Sequence, residues 1–279
     1  MTASLYSEDA LVEKPAIEML KALGWEHCDA FHEFEHAGGS PIGRENKGEI
    51  LLLSRLRPAL EKLNPTLTSQ AIDLAIEELL RDRSRLSLEA ANRDVYDLIK
   101  SGIRVEIPDP EEGDDRVEVV RVMDWNHPEE NDFFLCSQLW ITGDMYTRRP
   151  DVVGFVNGIP LVLMEFKAVD QRLETAYRNN LEDYKDTIPA LFWYNGLIIL
   201  SNGSESKVGS VSAGWEHFGE WKRVESEDEP EAISLDKILR GTCAPKKLLD
   251  LMENFTLFME VRGGLVKILA KNHQYLGVN

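Results

Sequence analysis

Leu11, Ile17, Leu20 and Leu23 recur near helical spacing in SEDALVEKPAIEMLKALG, which predicts a first helix of about four turns ended by Gly24. Pro15 fits only if the regular part starts close to it. Three more amphipathic runs follow in ILLLSRLRPALEKL, TSQAIDLAIEELLRDRS and SLEAANRDVYDLIKSG, with Thr68 and Ser87 as N-caps and Gly102 as a stop. They read as a helical layer inserted at residues 50–101.

From residue 103 the period shortens. IRVEI, RVEVVRVM, FFLCSQLWI, DVVGFV and LVLMEF are short runs rich in Val, Ile, Leu and Phe, parted by Pro, Gly, Asn and Asp, and they predict strands of a mostly antiparallel sheet. A helix is expected over 171–184 (QRLETAYRNNLEDY), then a buried strand in GLIILSNG. The tail from Pro245, KKLLDLMENFTLFMEV, carries a helical pattern again.

One line combines a strong local signal with chemistry. Residues 149–167, RPDVVGFVNGIPLVLMEFK, hold two apolar strands around Asn157-Gly158, a hairpin turn pair. Residues two apart on a strand share a face, so Glu165 and Lys167 project together while Phe166 turns to the core. Asp151 opens the neighbouring strand at the same end. Two carboxylates and the Phe166 carbonyl are hard oxygen donors suited to Mg²⁺, and Lys167 is placed to orient a nucleophile or stabilise a transition state. A strict two-residue turn would pair Val156 with Ile159 and set Asp151 opposite Met164, on the wrong face. A three-residue turn or a bulge is therefore expected, for which Gly158 and the donor-less Pro160 are suitable. The E-x-K spacing is unspecific by itself, since ENK (45–47), ESK (205–207) and EWK (220–222) also occur.

A second pattern competes for attention. HEFEHAGG (32–39) spells H-E-x-x-H, in which His32 and His36 would bind zinc and Glu33 would activate water. That needs a stable helix. The segment follows Gly24 and runs into AGGSPIG, Ile42 stands where an extended motif wants a third histidine, and Glu77 and Glu78 lie in an ordinary amphipathic run. A polar segment after the first helix is the preferred account.

Composition narrows the classes. The chain has 279 residues, 43% of them hydrophobic and 29% charged, which suits a globular protein of one large or two small domains. No run is long and apolar enough for a membrane span, and the acidic N-terminus MTASLYSEDALVEK is unlike a secretory leader, so the cytoplasm is expected. Cys28, Cys136 and Cys243 are too dispersed for a disulfide framework or a structural zinc site. The net charge of −18 opposes unaided nucleic-acid binding. Yet the acids concentrate in DPEEGDD (109–115) and ESEDEPE (225–231), while basic pairs stand at Arg148-Arg149 and Lys246-Lys247. No G-x-x-x-x-G-K-[ST] loop is present, so ATP hydrolysis is not expected of these residues.

The hairpin line resembles the PD-(D/E)xK nuclease motif. ALGW, RRPDVVGFVNGIPLVLMEFK, NLEDY, IPALFWYN, LSNG, NFTLF and KILAKNHQY together resemble the N-terminal nuclease domain of the restriction (R) subunit of type I restriction-modification enzymes, over most of the chain. The resemblance implies an α/β fold with a restriction-endonuclease-like core, a mixed, partly antiparallel sheet flanked by helices, and a helical insertion. It implies a Mg²⁺-dependent double-strand DNA endonuclease with Asp151, Glu165 and Lys167 as its motif residues. The family's Q-x-x-x-Y signature falls on Asn180 and Tyr184, with an amide one methylene shorter at the first position. An acid on the first helix matches Glu13 best and Glu8 second. The nuclease domain is expected at 1–260, with 261–279 beginning a linker to an ATP-driven motor outside this sequence. DNA and the modification (methyltransferase) and specificity subunits are the implied partners. Two rivals stand beside this reading: a non-catalytic docking module, and the zinc peptidase.

Overall fold

The structure is a computed structural model that describes residues 12–35, 39–108, 115–226, 229 and 232–279. Glu8, His36 and most of the two acidic runs lie outside the described residues.

The first helix, α1 (Lys14–Ala22), carries Pro15 in its first turn and buries Ala16, Ile17 and Leu20. Proline is admitted there because the opening amides of a helix have no internal partner. After β1 (Glu26–Asp29) come α2 (Leu53–Leu63), α3 (Ser69–Leu80) and α4 (Leu88–Ser101). Thr68 Oγ1 accepts from the Ala71 amide at 3.3 Å and Ser87 Oγ from the Ala90 amide at 3.2 Å, as the N-cap pattern predicts. Gly102 stops α4 at φ 80°. The strands β2 (Ile103–Pro108) and β3 (Asp115–Val120) follow, then β4 (Phe133–Ser137), the short pair β5 (Ile141–Thr142) and β6 (Thr147–Arg148), and the hairpin β7 (Val152–Val156) and β8 (Ile159–Phe166). A π-helical stretch at Ala176–Leu181 leads into α5 (Glu182–Thr187), α6 (Ala190–Trp193), β9 (Leu197–Ser201) and β10 (Ser206–Gly209). The chain continues through α7 (Ser234–Thr242), α8 (Pro245–Asn254), β11 (Thr256–Val261), β12 (Gly264–Leu269) and α9 (Asn272–Val278).

The main sheet is mixed, in the order β1-β4-β7-β8-β9-β10, with β1–β4 and β8–β9 parallel and the other pairs antiparallel. Its central strands are buried throughout, which explains their unbroken apolar sequence. One face packs on a cluster that includes Leu20 of α1, Leu56 of α2, Ile238 of α7 and Leu248 of α8. The other packs on Leu173, Tyr177, Tyr184 and Phe192. Each core Leu or Ile so covered contributes about 1.5–3 kcal/mol.

Three expectations need correction. IRVEI and RVEVV do not enter the main sheet; β2 and β3 form their own antiparallel ribbon. The pattern contains the reason: β2 alternates buried and exposed, as a one-sided ribbon does, while Val117 and Val119 of β3 remain exposed. The tail helix ends at Asn254, after which Thr256–Val261 pairs with Gly264–Leu269. Apolar residues at helical spacing ran on past the true stop, and the Thr, Phe and Val of TLFMEV carried the strand preference. The helix expected over 171–184 lies later, as the π-helical stretch and α5.

The β11–β12 hairpin docks through Lys267, which is 3% exposed and donates from Nζ to the Asn195 carbonyl at 2.6 Å. Burial pushes this ammonium from 10.5 down to about 7. Between those values the unfolded chain holds a proton that the folded chain has lost, so stability rises with pH across that window and is lost as pH falls through 7. Asn92 also donates to the Asn195 carbonyl, at 2.9 Å, so an apolar replacement of Lys267 leaves that oxygen partnered. Lys267→Met is expected to stabilise the fold by on the order of a few kcal/mol at pH 6 and by little at pH 10, read by calorimetric unfolding at both values.

Candidate active site

Asn157 (φ 51°) and Gly158 (φ 75°) form a two-residue turn with both residues left-handed, the twist that suits a hairpin. The Asn157 side chain is fully buried, donating to the Val122 carbonyl at 2.9 Å and accepting from the Asp132 amide at 2.8 Å. The turn sets Val156 against Ile159 and Phe155 against Pro160. The register then shifts: Gly154 pairs with Val162, leaving Leu161 as the extra residue of a bulge. Leu161 and the adjacent Val162 consequently share one core cluster before Leu163 returns to the other. Beyond the bulge Val152 faces Met164, and one further step sets Asp151 against Glu165. The expected irregularity is present as a bulge, with the two-residue turn retained. Gly154 allows it, because a Cβ there would meet the Trp25 ring and the Val162 Cβ at 3.1 Å.

At the open end of the hairpin the Phe166 amide donates to Asp151 Oδ2 at 2.7 Å, fixing the aspartate against β8. Lys167 Nζ reaches Glu165 Oε1 at 3.3 Å, and its own amide donates to the Ser201 carbonyl of β9. Tyr184, from α5, donates to Glu165 Oε2 at 3.1 Å and lies 3.4 Å from the Arg149 carbonyl. Asn180 approaches the Tyr184 hydroxyl from the π-helical stretch and opposes the rise in its pKa, and such a distortion recurs at functional sites. Glu13 is joined to this group through Gln138: buried at the start of α1, it accepts from Gln138 Nε2 at 2.8 Å, and the Gln138 amide donates to the Asp151 carbonyl at 2.8 Å. Gln138 was not singled out from sequence. Its signal was a polar residue within the apolar run FFLCSQLWI, and here it takes φ 56°.

Glu165 is 3% exposed, and its carboxyl is held well above the usual carboxylate range, first by burial and next by the Asp151 charge, with Lys167 and Tyr184 opposing. Tyr184 is raised too, by burial and then by Glu165. Two carboxylates pressed together out of water are an arrangement that a divalent cation relieves. Among the described residues no group of three or more His, Cys, Asp or Glu forms a cage for a metal. The donor set fits Mg²⁺ nevertheless, since that ion takes one or two carboxylates and keeps several waters.

His36, the second histidine of HEFEHAGG, lies outside the described residues. Among the described residues of the segment Glu33–Glu35 is helical, as a single 3₁₀ turn. Glu33 is sealed against Arg44, whose Nε donates at 3.0 Å, and accepts from Ser40 Oγ at 2.6 Å. His32 pairs with Glu35 at 2.7 Å. The glutamate that would activate water is thus neutralised in the core.

Comparison with known proteins decides the family. Residues 5–217 match the family described as type I restriction enzyme R protein N terminus. The chain belongs to that family. It is 34% identical over 281 residues to the type I restriction enzyme HindI endonuclease subunit of Haemophilus influenzae, a match covering 96% of this chain and 26% of the relative. It is 28% identical over 306 residues to a Methanocaldococcus jannaschii protein provisionally named as the MjaIXP endonuclease subunit of a type I restriction enzyme, covering 99% and 27%. The chain spans about a quarter of the length of these curated relatives. No helix among the described residues is long and apolar enough to cross a membrane.

The Tyr184 hydroxyl gives its one proton to the buried Glu165 carboxyl. Tyr184→Phe is expected to cost about 1–3 kcal/mol, the penalty for leaving a buried polar group without its partner, and to raise the Glu165 carboxyl further. Thermal unfolding and a carbon-13 NMR titration of the glutamate side chains check both.

Proposed function

We propose that the open end of the β7–β8 hairpin is the hydrolytic centre of a Mg²⁺-dependent double-strand DNA endonuclease domain. The observation that carries this reading is the bulge, which brings Asp151 to the strand position facing Glu165 and so gathers two carboxylates and Lys167 at one edge. Family membership and the relatives' names as endonuclease subunits support it.

Asp151, Glu165 and the Phe166 carbonyl would hold Mg²⁺, which supplies Lewis-acid activation of water and neutralises charge on a phosphodiester. The chain's own groups do the rest. Lys167, tethered to Glu165, presents an ammonium where negative charge grows in the transition state. Tyr184 holds Glu165 in place and is itself braced by Asn180. Glu13 and Gln138 fix the main chain of Asp151 from the opposite side. The unit is read as 1–260 with a helical insertion at 50–101 and a linker beginning at 261. It works in the cytoplasm on DNA that a motor and the methyltransferase and specificity subunits hold, with ATP used only by the motor.

Asp151→Asn and Lys167→Ala are each expected to lower Mg²⁺-dependent cleavage of plasmid DNA by about a hundredfold or more, with circular dichroism and subunit assembly unchanged. Full cleavage by Asp151→Asn sinks the proposal and leaves the docking module. Mn²⁺ is expected to raise the melting temperature of the unaltered chain and not that of Asp151→Asn.

A further inference from the structure

Basic side chains are scarce in this chain, 31 against 49 acids, and several are already committed. Arg148 is paired with Asp183, and Lys247 with Glu225 and the Val224 carbonyl. Arg149 differs. Among the described residues its guanidinium has no carboxylate partner. It rests against two neighbouring aromatic rings, 4.8 Å from the centre of Phe31 and 5.1 Å from that of Trp140, whose own centres are 6.1 Å apart. The rings are held in place, since the Trp140 indole N–H donates to the Phe31 carbonyl at 3.0 Å. Lys47, also without a carboxylate partner among the described residues, sits 5.1 Å over the Trp140 ring. This cation–aromatic stack adjoins the carboxylate edge: Arg149 is two residues from Asp151, within about 7 Å along the backbone, and its carbonyl faces the Tyr184 hydroxyl.

A guanidinium laid against rings keeps its N–H edge free and loses little freedom on binding, the preparation that suits a bidentate grip on phosphate. Arg149 also has the opposite sign to the carboxylates at this end of the hairpin, so its charge favours a polyanion that comes to that end.

We propose that Arg149, seated against Phe31 and Trp140 and assisted by Lys47, grips a DNA backbone phosphate next to the one presented to Asp151 and Glu165. The proposal rests on the nuclease reading for its meaning, but its test reads binding rather than cleavage. Fluorescence anisotropy of a labelled duplex, with Ca²⁺ in place of Mg²⁺, is followed over a series of potassium chloride concentrations. Arg149→Ala is expected to weaken binding at low salt by about tenfold. It is also expected to flatten the slope of log K against log salt by about 1, as loss of one phosphate contact does. Arg149→Lys keeps the slope and loses affinity, because the charge remains and the fork does not. Lys47→Ala, at a separate position, flattens the slope on its own, which preserves the test if Arg149→Ala folds poorly. An unchanged slope in both alanine variants overturns the proposal, as does absence of salt-dependent duplex binding by the unaltered chain. The two readings separate cleanly: binding that depends on Arg149 in a chain that never cuts keeps the grip and removes the nuclease, whereas cutting with an indifferent Arg149 does the reverse.

Discussion

One extra residue in one strand sets the chemistry of this domain. In an antiparallel pair with strict two-residue alternation, the turn at Asn157-Gly158 would leave Asp151 and Glu165 on opposite faces of the sheet. Leu161, bulged across from Gly154 and Phe155, reverses that parity for everything beyond it. The shift is held from several sides. Pro160 has no amide to lose, Gly154 leaves room for Trp25 and Val162, and the turn is anchored by the buried Asn157 amide and by the Gly158 carbonyl, which accepts from Leu52 at 2.9 Å. A Cβ on Gly158 would come within 2.6 Å of the Leu52 carbonyl, so the start of α2 is fitted to this turn. The helical layer thus supports the register from a distance.

That geometry concentrates unfavourable electrostatics. Glu165 is removed from water beside a second carboxylate, and the fold offers it one ammonium and one hydroxyl. A structural carboxylate would be better served by a bidentate arginine, and the same chain supplies that solution elsewhere, in the sealed Glu33–Arg44 pair. The contrast separates the two acidic motifs. At Glu33 the charge is fully compensated and therefore inert. At Glu165 compensation is left incomplete in a way that suits a hard cation.

Sequence carried the strongest local signals and lost the longer-range ones. The caps at Thr68 and Ser87, the stop at Gly102 and the Asn157-Gly158 hairpin were all legible, because each depends on residues within a turn of one another. The convergence of Asp151 with Glu165 was legible only as a requirement: pairing parity showed that some irregularity had to exist, but not that Leu161 would carry it. Membership of β2 and β3 in a separate ribbon depends on what packs over them, which periodicity does not encode. The strand at Thr256–Val261 was hidden by a helical pattern that continued past its own end. Gln138 was missed because its role arises only when Glu13 and Asp151, 138 residues apart in sequence, are brought to its two sides.

The net charge of −18 and a DNA-directed site are compatible once distance is considered. Charges further away than about 8–10 Å are largely screened at physiological salt, so a phosphate at the hairpin edge responds to the groups around it rather than to the total. Those groups are two carboxylates that a divalent ion would neutralise, the ammonium of Lys167 and the stacked guanidinium of Arg149. On the proposed reading the acidic remainder acts at longer range, by slowing the approach of DNA that nothing else has captured. On the proposed nuclease reading, a domain built in this way is weak by itself and effective when DNA is delivered to it.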